Sequence, residues 1–163
     1  NGLNIGKCFA TEDPVLSTVL LLNGPNLNLL GKREPHLYGE TTLKEIESNF
    51  KKLAVASGLV ADCIQSNSES ILIESVHTAS SKGTEAIVIN PGAYGHTSVA
   101  LRDAFLGTGL PFVEVHLSNV FAREEFRSRS LLSDIAIGLI SGFGEKSYDL
   151  GLQAILAYLQ KNK

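Results

Sequence analysis

The chain has 163 residues, the length of one domain, and its composition of 44% hydrophobic and 19% charged residues indicates a globular protein. Fourteen Lys and Arg against 17 Asp and Glu give a net charge of −3 without a basic block, which argues against a nucleic-acid-binding protein. No apolar run approaches the ~20 residues of a membrane span. Two cysteines, Cys8 and Cys63, are too few for a disulfide scaffold and lack the spacing of a zinc site.

Residues 17–163 are predicted to form a single domain, and residues 1–16 an extension or a cloning remnant. The first 14 residues lack the apolar core of a signal peptide, so we expect a cytoplasmic protein.

Short apolar runs alternate with helical patterns along the chain. The runs that predict strands are Thr18–Asn23, Leu59–Gln65, Ala86–Asn90, Phe112–Val115 and Ala136–Ser141. A first helix is predicted from the capping box Thr42–Glu45 to Gly58, and a second from Ser68 as cap to near Gly83. A third is predicted over Thr97–Leu106 and a last one from Ser147 as cap.

Strands that are apolar on both faces and separated by helices predict a parallel sheet covered on both sides, a doubly wound three-layer α/β sandwich. Ligands of such sheets bind beyond the carboxyl ends of the strands, at the point where the strand order reverses. The polar and titratable residues of this chain cluster in the loops after the first, third and fourth strands, at 23–39, 90–96 and 116–127. This clustering predicts a functional site there.

Four blocks carry a specific resemblance: NGPNLNLLGKREPHLYG at 23–39, QSNSE at 65–69, NPGAYGHTSVALRDA at 90–104 and EVHLSNVFAREEFR at 114–127. Over residues 18–159 the sequence resembles the type II dehydroquinase family. The resemblance implies a flavodoxin-like five-stranded parallel sheet of order 2-1-3-4-5. It also implies a hydro-lyase that converts 3-dehydroquinate into 3-dehydroshikimate, for aromatic biosynthesis or for quinate breakdown, without metal or cofactor. The expected assembly is a homododecamer, a tetramer of trimers.

The resemblance also implies the catalytic roles. Tyr38 matches the base, and Arg33, five residues earlier, matches the cation that makes a tyrosinate accessible near pH 7. Asn26 matches the residue that holds a water against the enolate oxygen, and an Asx turn after the preceding proline is compatible with that role. His116 matches the general acid. Glu114, two residues earlier on the same strand face, can orient its ring and keep it protonated.

Substrate binding is expected from a further set of residues. The resemblance assigns the substrate carboxylate to Asn90, the Ser118 hydroxyl and the backbone N–H groups of Leu117 and Ser118. It assigns ring hydroxyls to His96 and Arg127, and it places Asp103 in a neighbouring subunit's pocket. On the sequence alone, Asp103 reads as an exposed helix residue and Arg123 as a structural or lid ion-pair residue.

The sequence departs from the family's usual pattern at Phe121, Gly95 and Ser70, and the first two are expected to flank the pocket. Four alternatives are weaker. A nucleotide-binding module has only the partial GxGxxG at 142–147. A receiver-type domain lacks acidic residues at the end of the first strand, and a Schiff-base dehydratase lacks a lysine within a strand. A catalytically inactive small-acid-binding homologue would be expected to have lost Arg33, Tyr38 or His116.

Overall fold

The structure is a computed structural model that describes residues 17–32 and 40–162. Five strands form one all-parallel sheet in the order β2-β1-β3-β4-β5, which confirms the predicted class and strand order. The strands are β1 (Ser17–Asn23), β2 (Leu59–Gln65), β3 (Ala86–Asn90), β4 (Phe112–His116) and β5 (Gly138–Ser141).

The register of the sheet aligns the carboxyl ends of its central strands. Asn23 at the end of β1 pairs with Gln65 on one side and with Asn90 on the other. On β4, His116 pairs with Ser141 of β5. Every residue of β3 and β4 is buried, as expected for central strands that are covered on both faces. Three polar side chains (Asn23, Asn90 and His116) therefore end central strands at the same edge.

The helices lie on both faces of the sheet. Their bounds are α1 (Leu43–Ala56), α2 (Glu69–Ser81), the single turn α3 (Tyr94–Thr97), α4 (Val99–Thr108) and α5 (Lys146–Lys161). On one face, α1 and α5 bury Phe50 and Ile155 against β-strand residues such as Val88. On the other face, α2 and α4 bury Leu72 and Phe105 against the alternate strand residues. The alternation of side chains along each strand supplies both cores.

Local signals explain most helix boundaries. The predicted capping box is present, because the Thr42 hydroxyl accepts a hydrogen bond from the Glu45 N–H (3.3 Å) while the Glu45 carboxylate accepts one from the Thr42 N–H (2.8 Å). Helix α1 is followed by Gly58 at φ 77°, the left-handed conformation that ends helices and favours glycine.

Several predicted boundaries were wrong. Ser147 is not a cap, because α5 begins at Lys146 and the buried Ser147 hydroxyl accepts the Phe143 N–H instead. The helix predicted to start at Thr97 is α4, and it begins at Val99 because the Ser98 hydroxyl accepts the Leu101 N–H. Ser68 occupies the cap position of α2, but its side chain makes no capping bond.

Within residues 17–32 and 40–162, no helix combines the length and the apolar composition that crossing a bilayer requires.

Candidate active site

The loops after β1, β3 and β4 converge on one cleft at the carboxyl edge of the sheet, with a cavity volume of about 110 Å³. Seven of the predicted site residues line it, namely Asn26, Asn90, His96, His116, Leu117, Ser118 and Arg127. The cleft lies where neighbouring strands β1 and β3 send their crossovers in opposite directions, at the position that the fold predicts for a ligand.

Close contact between two loops shapes one wall of the cleft. The Gly24 N–H donates to the Asn90 carbonyl (2.8 Å), and a β-carbon built at Gly24 would lie 2.2 Å from the Pro91 carbonyl oxygen. Only glycine fits this approach. This close contact sets the direction in which the chain continues through Pro25 into Asn26.

Asn26 has a left-handed backbone with φ 66°, which asparagine tolerates better than most residues. Its N–H donates to Asn67 Oδ1 (2.9 Å), and Gln65 Nε2 donates to the same oxygen (3.1 Å). The Asn26 side chain makes no capping bond to the turn that follows, so the alternative of an Asx turn is not seen here. The QSNSE block therefore supports the loop after β1, and the Asn26 amide remains available to the cleft.

Beneath the cleft lies a buried acid–imidazole pair. Glu114 is 0% exposed, and its Oε1 lies 2.7 Å from Nε2 of His116. Both residues are on β4 two positions apart, so their side chains leave the strand on one face. An ionised carboxylate only accepts hydrogen bonds, so Nε2 of His116 carries the proton and Nδ1 is the nitrogen available to a ligand.

Two serines complete the surroundings of Glu114. Ser130 Oγ donates to both carboxylate oxygens (2.8 and 2.9 Å), and Ser133 Oγ donates to Oε2 (2.7 Å). Burial acts to raise the pKa of Glu114, but hydrogen bonds from His116, Ser133 and Ser130 outweigh it and hold that pKa below its usual value. Glu114 is therefore a carboxylate at neutral pH.

His96 lies beside His116 with the opposite nitrogen engaged. Its Nδ1 lies 2.8 Å from the Arg129 carbonyl oxygen, so Nδ1 carries a proton and Nε2 is left for a ligand. The two imidazole rings stack with centroids 6.1 Å apart and an interplanar angle of 14°. One wall of the cleft thus offers two imidazole nitrogens.

Asn90 is held from behind by the last helix. The buried Tyr148 hydroxyl donates to Asn23 Oδ1 (2.9 Å) and accepts from Asn90 Nδ2 (2.9 Å). Asn90 Oδ1 accepts the Gly92 N–H (3.2 Å), which fixes the orientation of the amide. The second N–H of the Asn90 amide is left for the cleft, where it suits an anionic oxygen.

The rim of the cleft is cationic. Arg123 Nη1 donates to Ser118 Oγ (3.3 Å), and Arg127 Nε donates to Glu124 Oε2 (2.8 Å). The Arg127 guanidinium also lies 5.0 Å from the centre of the Phe126 ring. Both guanidinium groups pair with the Glu124 carboxylate, at 3.5 and 2.8 Å. Together with the neutral amide and hydroxyl donors of the cleft, they suit a small anion with several hydroxyls.

The other predicted site residues lie elsewhere. Glu114 lies beneath the cleft, while Asp103 is exposed on α4 and does not line it. Arg33 and Tyr38 lie outside the described residues. Phe121 is 63% exposed and lines an adjoining depression with His116. Gly95 is buried, and a β-carbon built there would crowd the Pro91 ring at 2.8 Å.

Sequence reasoning missed several residues that shape the site. Ser130 and Ser133 come from the irregular segment between β4 and β5, which shows no periodicity to mark them. Tyr148 reads as an apolar position of the last helix. Arg123 lines the cleft, and only its place within the 114–127 block could have pointed to it.

The model of the dehydroquinase class II family matches residues 17–156. This chain belongs to the class II dehydroquinase family. A 3-dehydroquinate dehydratase of Xanthomonas euvesicatoria is 56% identical over 147 residues, which cover 90% of this chain and 99% of the relative. The enzyme of the same name from Teredinibacter turnerae is 55% identical over 148 residues, 91% of this chain and 96% of the relative.

Solved structures of class II dehydroquinases agree. The type II dehydroquinase from Propionibacterium acnes superposes with a TM-score of 0.82 at 39% identity, covering 86% of this chain and 97% of that one. The predicted family and the predicted enzyme class, a hydro-lyase, are confirmed.

Proposed function

We propose that this chain removes water from 3-dehydroquinate by anti elimination through an enolate, giving 3-dehydroshikimate. The observation that carries the proposal is the buried Glu114–His116 pair at the floor of a cleft with a cationic rim. The family and the names of the relatives support the same substrate.

His116 is proposed as the general acid. With Nε2 bonded to the Glu114 carboxylate at 2.7 Å, the proton on Nδ1 is the one transferred to the departing hydroxyl. The carboxylate stabilises the imidazolium before the transfer, and it fixes the ring throughout. Water leaves, and the enolate electrons form the new C=C bond.

Tyr38, assisted by Arg33, is proposed as the base that removes the proton next to the ketone. The described ends of the loop that carries both residues are adjacent, because a β-carbon at Gly31 would lie 2.9 Å from the Glu40 carbonyl oxygen. Leu30, shortly before the loop, lines the cleft. These two observations support delivery of the base from this loop. The Asn26 amide is proposed to hold a water against the enolate oxygen.

The binding roles follow the lining of the cleft. Asn90 and Ser118, with the backbone N–H groups at 117–118, are proposed to hold the carboxylate, while His96 and Arg127 hold ring hydroxyls. Asp103 is exposed, as a residue that reaches a second copy must be. The family resemblance is the ground on which we propose a cytoplasmic homododecamer, a tetramer of trimers. Light scattering of the purified chain tests the assembly, and a monomer would remove the role of Asp103.

The deciding experiment is an absorbance assay with 3-dehydroquinate and no added metal or cofactor. The proposal is supported if the chain still forms the conjugated enone after it has been treated with substrate and borohydride and then freed of both. Borohydride would inactivate a Schiff-base enzyme by reducing the imine to a permanent covalent adduct. Tyr38→Phe is expected to abolish turnover while a substrate-like acid still binds. No enone from the folded wild-type chain would indicate the inactive small-acid-binding homologue instead.

A further inference from the structure

Glu114 and His116 share a bridging proton, and two positions for it compete. When Nδ1 is also protonated, the bridging proton can lie on Nε2, giving a carboxylate and an imidazolium, or on Glu114 Oε1, giving two neutral groups. Glu114 is 0% exposed and His116 is 6% exposed. Burial favours the neutral arrangement, because both charges lose their hydration.

The two serines oppose that preference. The Ser133 hydroxyl donates to Glu114 Oε2 at 2.7 Å, and the single proton of Ser130 Oγ is shared between both carboxylate oxygens at 2.8 and 2.9 Å. Such bonds stabilise the charged carboxylate. We propose that Ser133, together with Ser130, is a positioning residue that keeps the bridging proton on Nε2 of His116. The inference rests on the proposed function for its catalytic meaning, but the proton position itself can be measured without turnover.

The position of the bridging proton decides what His116 can do. With the proton on Nε2, the ring is an imidazolium, and it can give its Nδ1 proton to the departing hydroxyl. The C–O electron pair stays on oxygen, water leaves and a neutral imidazole remains bonded to the carboxylate. With the bridging proton on Glu114, the ring is already neutral. The Nδ1 proton can then leave only if the bridging proton returns to Nε2, because its loss alone would create an imidazolate.

Other charged groups face this pair from the surrounding elements. His96 stacks on His116 at 6.1 Å, and Arg127, Arg129 and Asp134 line the depression that Glu114 and Ser133 also line. Arg123 lines the cleft on the other side. The Arg102 guanidinium donates to both carboxylate oxygens of Asp134. Among the described side chains, those that hydrogen-bond Glu114 are His116, Ser130 and Ser133.

Ser133 is the cleaner probe of the two serines. Ser130 Oγ also accepts the N–H groups of Leu132 (3.0 Å) and Ser133 (3.3 Å), so its loss would also disturb a turn. Within the described chain, the Ser133 hydroxyl bonds only to Glu114. Ser133→Thr keeps a hydroxyl at this half-buried position. Ser75→Ala is the matched control, because Ser75 Oγ donates to the Ile71 carbonyl within α2 and does not line the cleft.

The test uses the full chain with ¹⁵N-labelled histidine. The four histidines give separate ring signals, and His116→Gln identifies those of His116. In the wild type, at the pH where Nδ1 has gained its proton but the pair has not bound a further one, both His116 nitrogens are expected to show imidazolium shifts. In Ser133→Ala, Nε2 is expected to move to the shift of an unprotonated nitrogen, while Ser133→Thr and Ser75→Ala keep the wild-type pattern.

Kinetics supply the second measurement. Ser133→Ala is expected to lower kcat about ten-fold with KM within about two-fold, since a lost hydrogen bond to a charged group has this magnitude. The inference would be overturned by a neutral His116 ring in the wild type when Nδ1 is protonated. Unchanged His116 nitrogen signals in Ser133→Ala would also overturn it. An imidazolium in a wild-type chain that forms no enone would refute the proposed function alone.

Discussion

Tyr148→Phe removes one oxygen atom from the centre of the fold, and its cost can be worked out from two contacts. The hydroxyl bonds to Asn23 and to Asn90 at 2.9 Å each, and the three side chains are at most 2% exposed. The variant leaves one buried acceptor and one buried donor without a partner, at about 1–3 kcal/mol each. The more apolar ring recovers part of this, so we expect a loss of about 3 kcal/mol in the free energy of unfolding. For a chain of this length, Tm would fall by about 6–12 °C.

The same change acts on the cleft, because the hydroxyl fixes the amide of Asn90. Because Asn90 is proposed to hold the substrate carboxylate, a looser amide would weaken binding of the substrate and of the transition state alike. We therefore expect KM to rise about ten-fold with kcat nearly unchanged. Urea denaturation at fixed protein concentration and steady-state kinetics measure the two effects. Tyr158→Phe is the control, since its hydroxyl has no hydrogen-bond partner within residues 17–32 and 40–162. Equal urea midpoints and equal KM for the two variants would refute the reasoning.

Three further predictions test other parts of the molecule. Gly24→Ala places a β-carbon 2.2 Å from a backbone oxygen and should cost about 4 kcal/mol or more, measured as soluble yield and urea midpoint. Gly107→Ala, which has open space, should be tolerated, and equal midpoints for the two variants would contradict the steric argument. Thr42→Ala removes the capping hydroxyl and should cost about 1 kcal/mol, so an unchanged Tm would show that the cap contributes nothing. Burial, reinforced by a nearby carboxylate, raises the pKa of Cys63 to about 12. In a Cys8→Ser background, its alkylation at pH 8 should therefore be about fifty-fold slower than that of an ordinary thiol, and it should accelerate as the pH rises. Alkylation as fast as that of glutathione would refute the last prediction.

The sequence predicted most of the sheet because its strands are apolar runs with clear ends. The structure places β2 and β3 at the predicted residues, and the capping box at Thr42 is where the sequence predicts it. The predicted cap at Ser147 was wrong. A serine near a helix start predicts a cap, but tertiary packing buries this serine within the first turn of the helix. Local pattern identifies candidates for helix ends, but it does not say which neighbouring residue takes the position.

The location of the site was predictable because polar residues follow the strand ends, whereas the individual site residues came from the family resemblance. Seven of the predicted side chains line one cleft because parallel strands bring their carboxyl ends to the same edge. The supports behind them were not predictable in this way. Ser133 reaches Glu114 across 19 residues and Tyr148 reaches Asn23 across 125, and no period in the sequence relates such partners. These contacts depend on the packed fold, which one sequence does not display.

The bond between Tyr148 and Asn90 also constrains the order in which the molecule can become functional. Asn90 ends the third strand, but the hydroxyl that fixes its amide arrives on the final helix, 58 residues later. During synthesis, a chain that has formed β1 to β4 therefore holds most of the cleft without a fixed Asn90 amide. Such contacts between distant segments form late in folding, because the intervening chain must first be ordered. Under the proposed role of Asn90, tight binding of a carboxylate would report that the last helix has docked, and a chain released before α5 would not bind its ligand tightly.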